Sequence, residues 1–339
     1  MNQGRSRFGS YPLKSFRDLD LLLSMQNYHI YDLSIDSDLD LPANRAAKMP
    51  NHLSKSLIIS HQPDTLQEFA QVHWISSRYG GLVRCYDVQS GILVCIKDDN
   101  NEQFRFHVSY DESELTFNIF CSVAPAVIAN LGLSIYKLLQ GYITLHGIAV
   151  GMGSKLAAVV ARSQTGKSTL MWSLMDCGAQ LASDDVLPIH VQGGSVVATP
   201  SVSLHTKLSK EALIVRDMDW TQLQPISPES DLFWLPFAQD KRIIAERSLD
   251  AVFILQPTQQ IEKNTVHVQR VTGGAAISLL LENTHGLWAA YPMLNGKEMF
   301  DAYAVLAEVI PVYVLNYVRC YEILPRLVDT INNQMHSGR

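Results

Sequence analysis

Three groups of residues in this chain have the types and the spacing to do chemistry. The first is the run Ala161-Arg162-Ser163-Gln164-Thr165-Gly166-Lys167-Ser168-Thr169. It fits the phosphate-binding loop pattern, with Ala161 where the first glycine usually stands. The backbone N–H groups from Gln164 to Thr169 form an anion nest, and a helix starting near Lys167 adds the positive end of its dipole. Gly166 lets the backbone approach oxygen atoms closely. Lys167 places an ammonium on β- and γ-phosphates, and Ser168 offers a hydroxyl to Mg2+. The expected nucleotide-binding set is Ala161, Ser163, Gln164, Thr165, Gly166, Lys167, Ser168 and Thr169.

The second group is the pair Asp184-Asp185, which ends a short strand over residues 179–186. One helix and that strand separate it from Lys167. In a parallel α/β unit such a strand can lie beside the phosphate-loop strand, with its end facing the same crevice. Neighbouring side chains on a strand point to opposite sides, so the two acids are expected to divide their roles. One serves as general base or acid, and Asp185 joins Ser168 as a metal ligand. The third group is His146, on a strand over residues 141–150 followed by the turn Gly151-Met152-Gly153-Ser154. A hairpin centred between Met152 and Gly153 sets His146 opposite Val159, two residues from Ala161. A histidine there reaches the phosphates or the acidic pair.

The elements that must position these groups show in the hydrophobic pattern. Leu156 to Val160 reads as a buried strand running into the loop. Leu170, Met171, Leu174 and Met175 lie on one side of the following helix, which stops at Gly178. Upstream, residues 126–140 carry apolar side chains at helical spacing, and Gly141 ends them. From there strands and helices alternate, an α/β pattern. Earlier still, short aromatic and β-branched runs at 28–35, 56–60, 82–86, 91–96, 104–108 and 115–120 are separated by turn clusters such as Asp98-Asp99-Asn100-Asn101. This predicts a small, mainly antiparallel β domain. The chain divides into an N-terminal segment, 1–25, a β-rich domain, 26–125, and a nucleotide-binding domain, 126–335.

In chain order, Leu145-His146-Gly147, the loop from Ala161 to Thr169 and Ser183-Asp184-Asp185 resemble the catalytic domain of HPr kinase/phosphorylase. That family shares one nucleotide-binding fold with phosphoenolpyruvate carboxykinase. The resemblance covers residues 126–330. More narrowly, the chain resembles the HPr kinase-related tailoring kinases found with lasso-peptide precursors. That likeness is carried by the strand and acidic turn of 28–42, by Leu249 to Leu255, by a helix over 274–282, and by Ile310 to Leu315 with a final helix to about residue 332. The resemblance implies an α/β fold with a phosphate-loop kinase core behind the β domain. It implies phosphoryl transfer from ATP, with Mg2+, to a serine hydroxyl of a peptide or small protein, in the narrowest case the C-terminal serine of a lasso-peptide precursor. Lys167 and Ser168 would then hold the β/γ-phosphates and Mg2+, while His146, Asp184 and Asp185 serve the hydroxyl and the transferred group. The family also sets a downstream basic residue on the phosphates, for which Lys241, Arg242 and Arg247 are candidates. The segment supplying a Glu metal ligand in true HPr kinases has no clear match here. True HPr kinases form hexamers, which leaves a homo-oligomer open.

Composition narrows the classes. The 339 residues carry 27 Lys+Arg against 33 Asp+Glu, a net charge of −6, so a general nucleic-acid surface is not expected. At 47% hydrophobic the chain can bury a sizeable core, which excludes disorder as the overall state. No uncharged apolar run approaches a membrane span, and residues 1–14 lack the apolar stretch of a secretory signal. The 5 cysteines are odd in number and form no CxxC pair, the pattern of reduced thiols in a cytoplasmic protein. Two other functions stay open on sequence: a kinase acting on a small hydroxyl metabolite, and a non-catalytic nucleotide-sensing module.

Overall fold

The computed structural model describes residues 26–31, 33–39, 41, 55–62, 72–78, 81–88, 90–98, 103–111, 114–118, 124–162, 165–200, 205–225 and 231–337. The N-terminal segment 1–25 lies outside them, as do Ser163 and Gln164 of the loop.

The first sheet has eight strands: β1 (Gln26–Ile30), β2 (Leu33–Ser37), β3 (Lys55–His61), β4 (Val72–Arg78), β5 (Gly81–Val88), β6 (Gly91–Asp98), β7 (Gln103–Ser109) and β8 (Glu114–Phe117). Their order is β1-β2-β3-β8-β7-β6-β5-β4. β3 runs parallel to β2 and β8, and the remaining pairs are antiparallel. Period-two burial orients the strands: in β3, Leu57 and Ile59 are buried while Ser56 and Ile58 are exposed. Two expectations change here. The run 28–35 is a hairpin rather than one strand, because the chain reverses at Tyr31, whose φ of 57° lies in the left-handed region. And β4, which carries polar Ser76, Ser77 and Arg78, was not foreseen from its pattern.

A continuous helical segment follows: α1 (Ala124–Val127), a π-helical turn (Ile128–Gly132) and α2 (Leu133–Leu139). This segment opens the stretch 126–335 expected as the nucleotide-binding domain. Its apolar side chains, including Ile128, Leu131, Ile135 and Tyr136, pack into the core of the first sheet. Gly132 permits this approach, since a Cβ there would stand 2.8 Å from Leu115 Cδ1.

The second sheet is built from β9 (Ile143–Met152), β10 (Lys155–Val160), β11 (Gln180–Gln192), β12 (Ser195–Ala198), β15 (Arg247–Ser248), β16 (Ala251–Pro257), β17 (Val266–Val271) and β18 (Val312–Tyr317). Its order is β15-β12-β11-β9-β10-β16-β18-β17. Between β12 and β15 a separate two-stranded sheet pairs β13 (His205–Ser209) with β14 (Leu232–Pro236), and α4 (Lys210–Val215) follows β13. The central β10, β16 and β18 are parallel neighbours. Both faces are covered, so these strands read as apolar runs. One face packs on α3 (Lys167–Asp176) and α8 (Leu324–Ser337), the other on α5 (Gly273–Glu282) and α7 (Gly296–Val309). The short α6 (Leu287–Ala290) instead adds Ala289 and Ala290 to the first core. Among the described residues, no helix is long and apolar enough to cross a membrane.

Two corrections bear on the site. The strand carrying the aspartates does not stop at them but runs the length of β11, and it pairs antiparallel with β9 rather than beside the loop strand β10. The β9–β10 hairpin turns at Gly153 and Ser154, one residue later than expected, with φ 62° at Gly153. A one-residue shift of the turn moves each partner by two. Val159 therefore pairs with Ile148, and His146 lies one step past the last ladder pair, Gly147–Val160.

Candidate active site

β10 ends at Val160, buried Ala161 follows it, and the chain then turns toward α3. Gly166 caps that helix at φ 97°, a conformation that favours glycine, and contributes no side-chain cap. The cap position therefore offers no side chain to the first helical N–H groups. The Lys167 Nζ folds back over the loop and donates to the Ala161 carbonyl at 2.6 Å and to the Arg162 carbonyl at 3.3 Å. Burial draws its pKa down to about 8, against the opposing charges of Asp185 and Asp184. Ser168 and Thr169 sit half-buried in the first helical turn. The Thr165 hydroxyl donates to the Arg162 carbonyl at 2.8 Å, and the Tyr317 hydroxyl, from the end of β18, donates to the Thr165 carbonyl at 2.9 Å.

The acidic pair reaches the same end of the sheet by way of β9. An irregularity between Leu181 and Ser183 breaks the β11 register, and Asp185 adopts φ 134°, a strained value for a residue with a side chain. The two carboxylates then see different surroundings. Burial, and next the charge of Asp185, push Asp184 up to about 7, although Lys207 and Lys167 pull it down. Burial also pushes Asp185 up, but Lys207, His146, His285 and Lys167 together outweigh it and hold the carboxyl below its ordinary range. Lys207 Nζ lies 3.6 Å from Asp185 Oδ2, Asn130 Nδ2 donates to that oxygen at 3.3 Å, and His146 Nδ1 lies 4.0 Å from Oδ1. The backbone of Lys207 hydrogen-bonds Asp184.

Where β10 leaves the sheet for the loop, residues 283–285 take its place along β9. His146 N–H donates to the Asn283 carbonyl at 2.7 Å, His285 N–H donates to the Thr144 carbonyl at 2.6 Å, and Leu145 pairs with Thr284. This sets the His285 ring on the His146 ring, centroids 5.5 Å apart and planes 18° apart. A cleft of about 860 Å³ opens here, lined by Asn130, His146, Arg162, Asp185, Lys207, Glu282, His285 and Trp288 among others. On the other side of the loop a cleft of about 420 Å³ is lined by Thr165, Gly166, Thr169, Tyr317, Arg319 and Tyr321 among others.

The structure therefore brings together His146, Ala161, Lys167, Asp184 and Asp185, with Thr165, Gly166, Ser168 and Thr169 on the loop. It does not bring Lys241 and Arg242 there. The main chain around Arg242 pairs with Leu181, before the aspartates along β11, and Ile243 N–H donates to the Leu181 carbonyl at 2.8 Å. The Arg242 guanidinium bonds the Phe237 carbonyl, and Lys241 is exposed. Arg247 reaches the Gly153 carbonyl, at the β9–β10 turn on the far edge. These residues follow the β12–β15 connection to the wrong end of the sheet. Besides Lys167 on the loop, the cations lining the larger cleft among the described residues are Lys207 and Arg162, the latter 3.8 Å from Glu282. Lys207, His285 and Asn130 escaped the sequence reading because no motif surrounds them. The alternation Thr206-Lys207-Leu208, which puts one lysine between two buried residues, was the available signal for Lys207.

No protein-family model matches the chain, and no curated protein sequence does. Among solved structures, 48 chains match. One is the HPr(Ser) kinase/phosphatase from Coxiella burnetii, 13% identical, with a TM-score of 0.33, covering 57% of this chain and 99% of that one.

Proposed function

We propose that the chain is a Mg2+–ATP-dependent kinase that transfers a phosphoryl group to a serine hydroxyl of a peptide or small protein. The observation that carries this reading is the meeting, at one end of the sheet, of Lys167 on the loop with the adjacent Asp184 and Asp185, the latter facing Lys207 at 3.6 Å and His146 at 4.0 Å. The order His146, phosphate loop, Asp184-Asp185 supports the HPr kinase type, and the lasso-precursor resemblance supports a C-terminal serine as acceptor.

The residues present fit both groups. The uncapped start of α3 and the loop-bound Lys167 ammonium suit a triphosphate. Mg2+ ordinarily takes one or two carboxylates and leaves its other positions to phosphate and water, so Ser168 and Asp185 suffice as its protein ligands. When bound, Mg2+ neutralises charge on the transferred group. Lys167 exchanges the loop carbonyls for phosphate oxygens. Asp184, with an affinity near neutrality, accepts the hydroxyl proton as the bond from the serine oxygen to the γ-phosphorus forms and the bond from that phosphorus to the β,γ-bridging oxygen breaks, releasing ADP. Asp185 stays anionic because Lys207 and His146 face it. The larger cleft, beside Asp185 and His146, is the acceptor side, and the smaller, beside Tyr317 and Arg319, suits the nucleoside.

The test uses full-length protein, γ-labelled ATP and a peptide ending in serine. Label is expected on the serine with the native chain, and neither Lys167→Ala nor Asp184→Asn should transfer it. Label on the peptide with both variants would overturn the site. Label in small hydroxyl compounds, with none on peptide, would replace the acceptor class. Nucleotide binding with no transfer to any acceptor would favour a sensing module.

A further inference from the structure

Ser134 sits one helical turn beyond Asn130. Its hydroxyl donates to the Asn130 carbonyl, so its hydrogen is committed within the helix. The 2.9 Å contact between Ser134 Oγ and His285 Nδ1 must then run the other way, with Nδ1–H as donor and Oγ as acceptor. In the neutral ring the basic nitrogen is Nε2. Residues four apart share a helix face, so Asn130 on Asp185 and Ser134 on His285 form a two-point clamp from one element. Asn130 belongs to the π-helical turn, an irregularity frequent at functional sites. Gly286, at φ 74°, allows the close approach, since a Cβ there would stand 3.1 Å from Ser134 Cβ. The same helix packs into the first core through Leu131 and Ile135.

We propose that His285 is a positioning residue of the active site, locked in its Nδ1–H tautomer by Ser134 and stacked on His146, so that it fixes the imidazole facing Asp185. Its effect on turnover rests on the kinase reading. The lock itself does not. The stack is one of the contacts that hold the His146 ring toward Asp185, so its loss is expected to broaden the ring's orientations rather than free it. The first sheet thus takes part in the site through the helix it seats.

Two arms test this on the full chain. In the first, nitrogen-15 labelled histidine is read by long-range proton–nitrogen correlation, with His285→Asn used to assign the ring. An Nδ1–H signature for His285 is expected, and Ser134→Ala should abolish it. An Nε2–H signature in the native chain, or no change in Ser134→Ala, overturns the lock. In the second, phosphate release from Mg2+–ATP with water as acceptor should fall about tenfold in kcat for Ser134→Ala and for His285→Asn, with KM for ATP within about twofold of native. Native kcat in both variants overturns the positioning role. If the native chain transfers the phosphoryl group neither to water nor to a peptide ending in serine, the kinase reading has failed and the tautomer arm decides the lock alone.

Discussion

The two sides of the cleft are built in opposite ways. The loop side is one contiguous stretch, β10, the loop and the first turn of α3, with Tyr317 holding the loop from the end of β18. The acid side is assembled from five separated positions: Asn130, His146, Asp185, Lys207 and His285. An anion nest needs backbone N–H groups, and a short segment can supply them by its own conformation. A carboxylate with an affinity near neutrality needs burial and charges set against one another, and these come from elsewhere in the fold.

The largest effect should come from the acid side. Asp184→Asn is expected to lower turnover by about 10³-fold, within the usual range for a lost general base, while nucleotide affinity stays close to native. Equilibrium nucleotide binding and single-turnover rates separate the two. The same variant should gain stability at high pH. Asp184 holds its proton to about 7 in the fold, against 3.8 in its ordinary state, so the native chain binds more protons in that window and loses stability as pH rises through it. Thermal melts should show Asp184→Asn above native at pH 8 and equal to it near pH 3.5. A lower Tm at pH 8 would mean that the buried carboxylate is stabilising, and the contrast between the two sides would fall.

Next in size is Lys207→Gln. Lys207 lowers both aspartates, so its loss raises them. Activity that needs Asp184 ionised rises with pH through about 7 in the native chain. In the variant that rise should move to higher pH, by roughly one unit. A pH–rate profile that stays in place would remove Lys207 from the site.

Gly147→Ala probes the strand between the two sides. A Cβ there would lie 2.5 Å from the Val159 carbonyl oxygen, a backbone atom that cannot step aside. Destabilisation of about 1–3 kcal/mol is expected, read by denaturant unfolding. The smallest effect belongs to Lys241→Ala, at the other end of the sheet, where turnover and ATP KM should change less than about twofold. A tenfold rise in ATP KM would bring the 239–247 loop to the phosphates after all.

Legibility followed the same division. The buried strand, the loop and the start of α3 are readable because strand period, glycine position and helix pattern are local properties. Asp184-Asp185 and His146 are readable as candidates because their residue types are rare on apolar strands. Their arrangement is not: the aspartates were expected beside β10, and β9 lies between. The His146 register was missed by a single turn residue. At the other end of the chain, aromatic and β-branched side chains at 28–35 concealed a reversal at Tyr31, since strand propensity does not report a positive φ.

The local sequence accounts for the strand, loop and helix start from β10 to α3, the α/β alternation behind them and the β-rich character of the region before them. Each follows from spacing over a few residues. The tertiary structure decided which cation faces the aspartates, that a second histidine stacks on the first, and that a helix seated in the first core touches Asp185 and that second histidine. All of these contacts, the helix's to the second histidine and Asp185 included, depend on strand order, on a one-residue turn shift and on the place 283–285 takes when β10 departs. Such contacts join residues far apart in the chain, and local propensity carries no information about them.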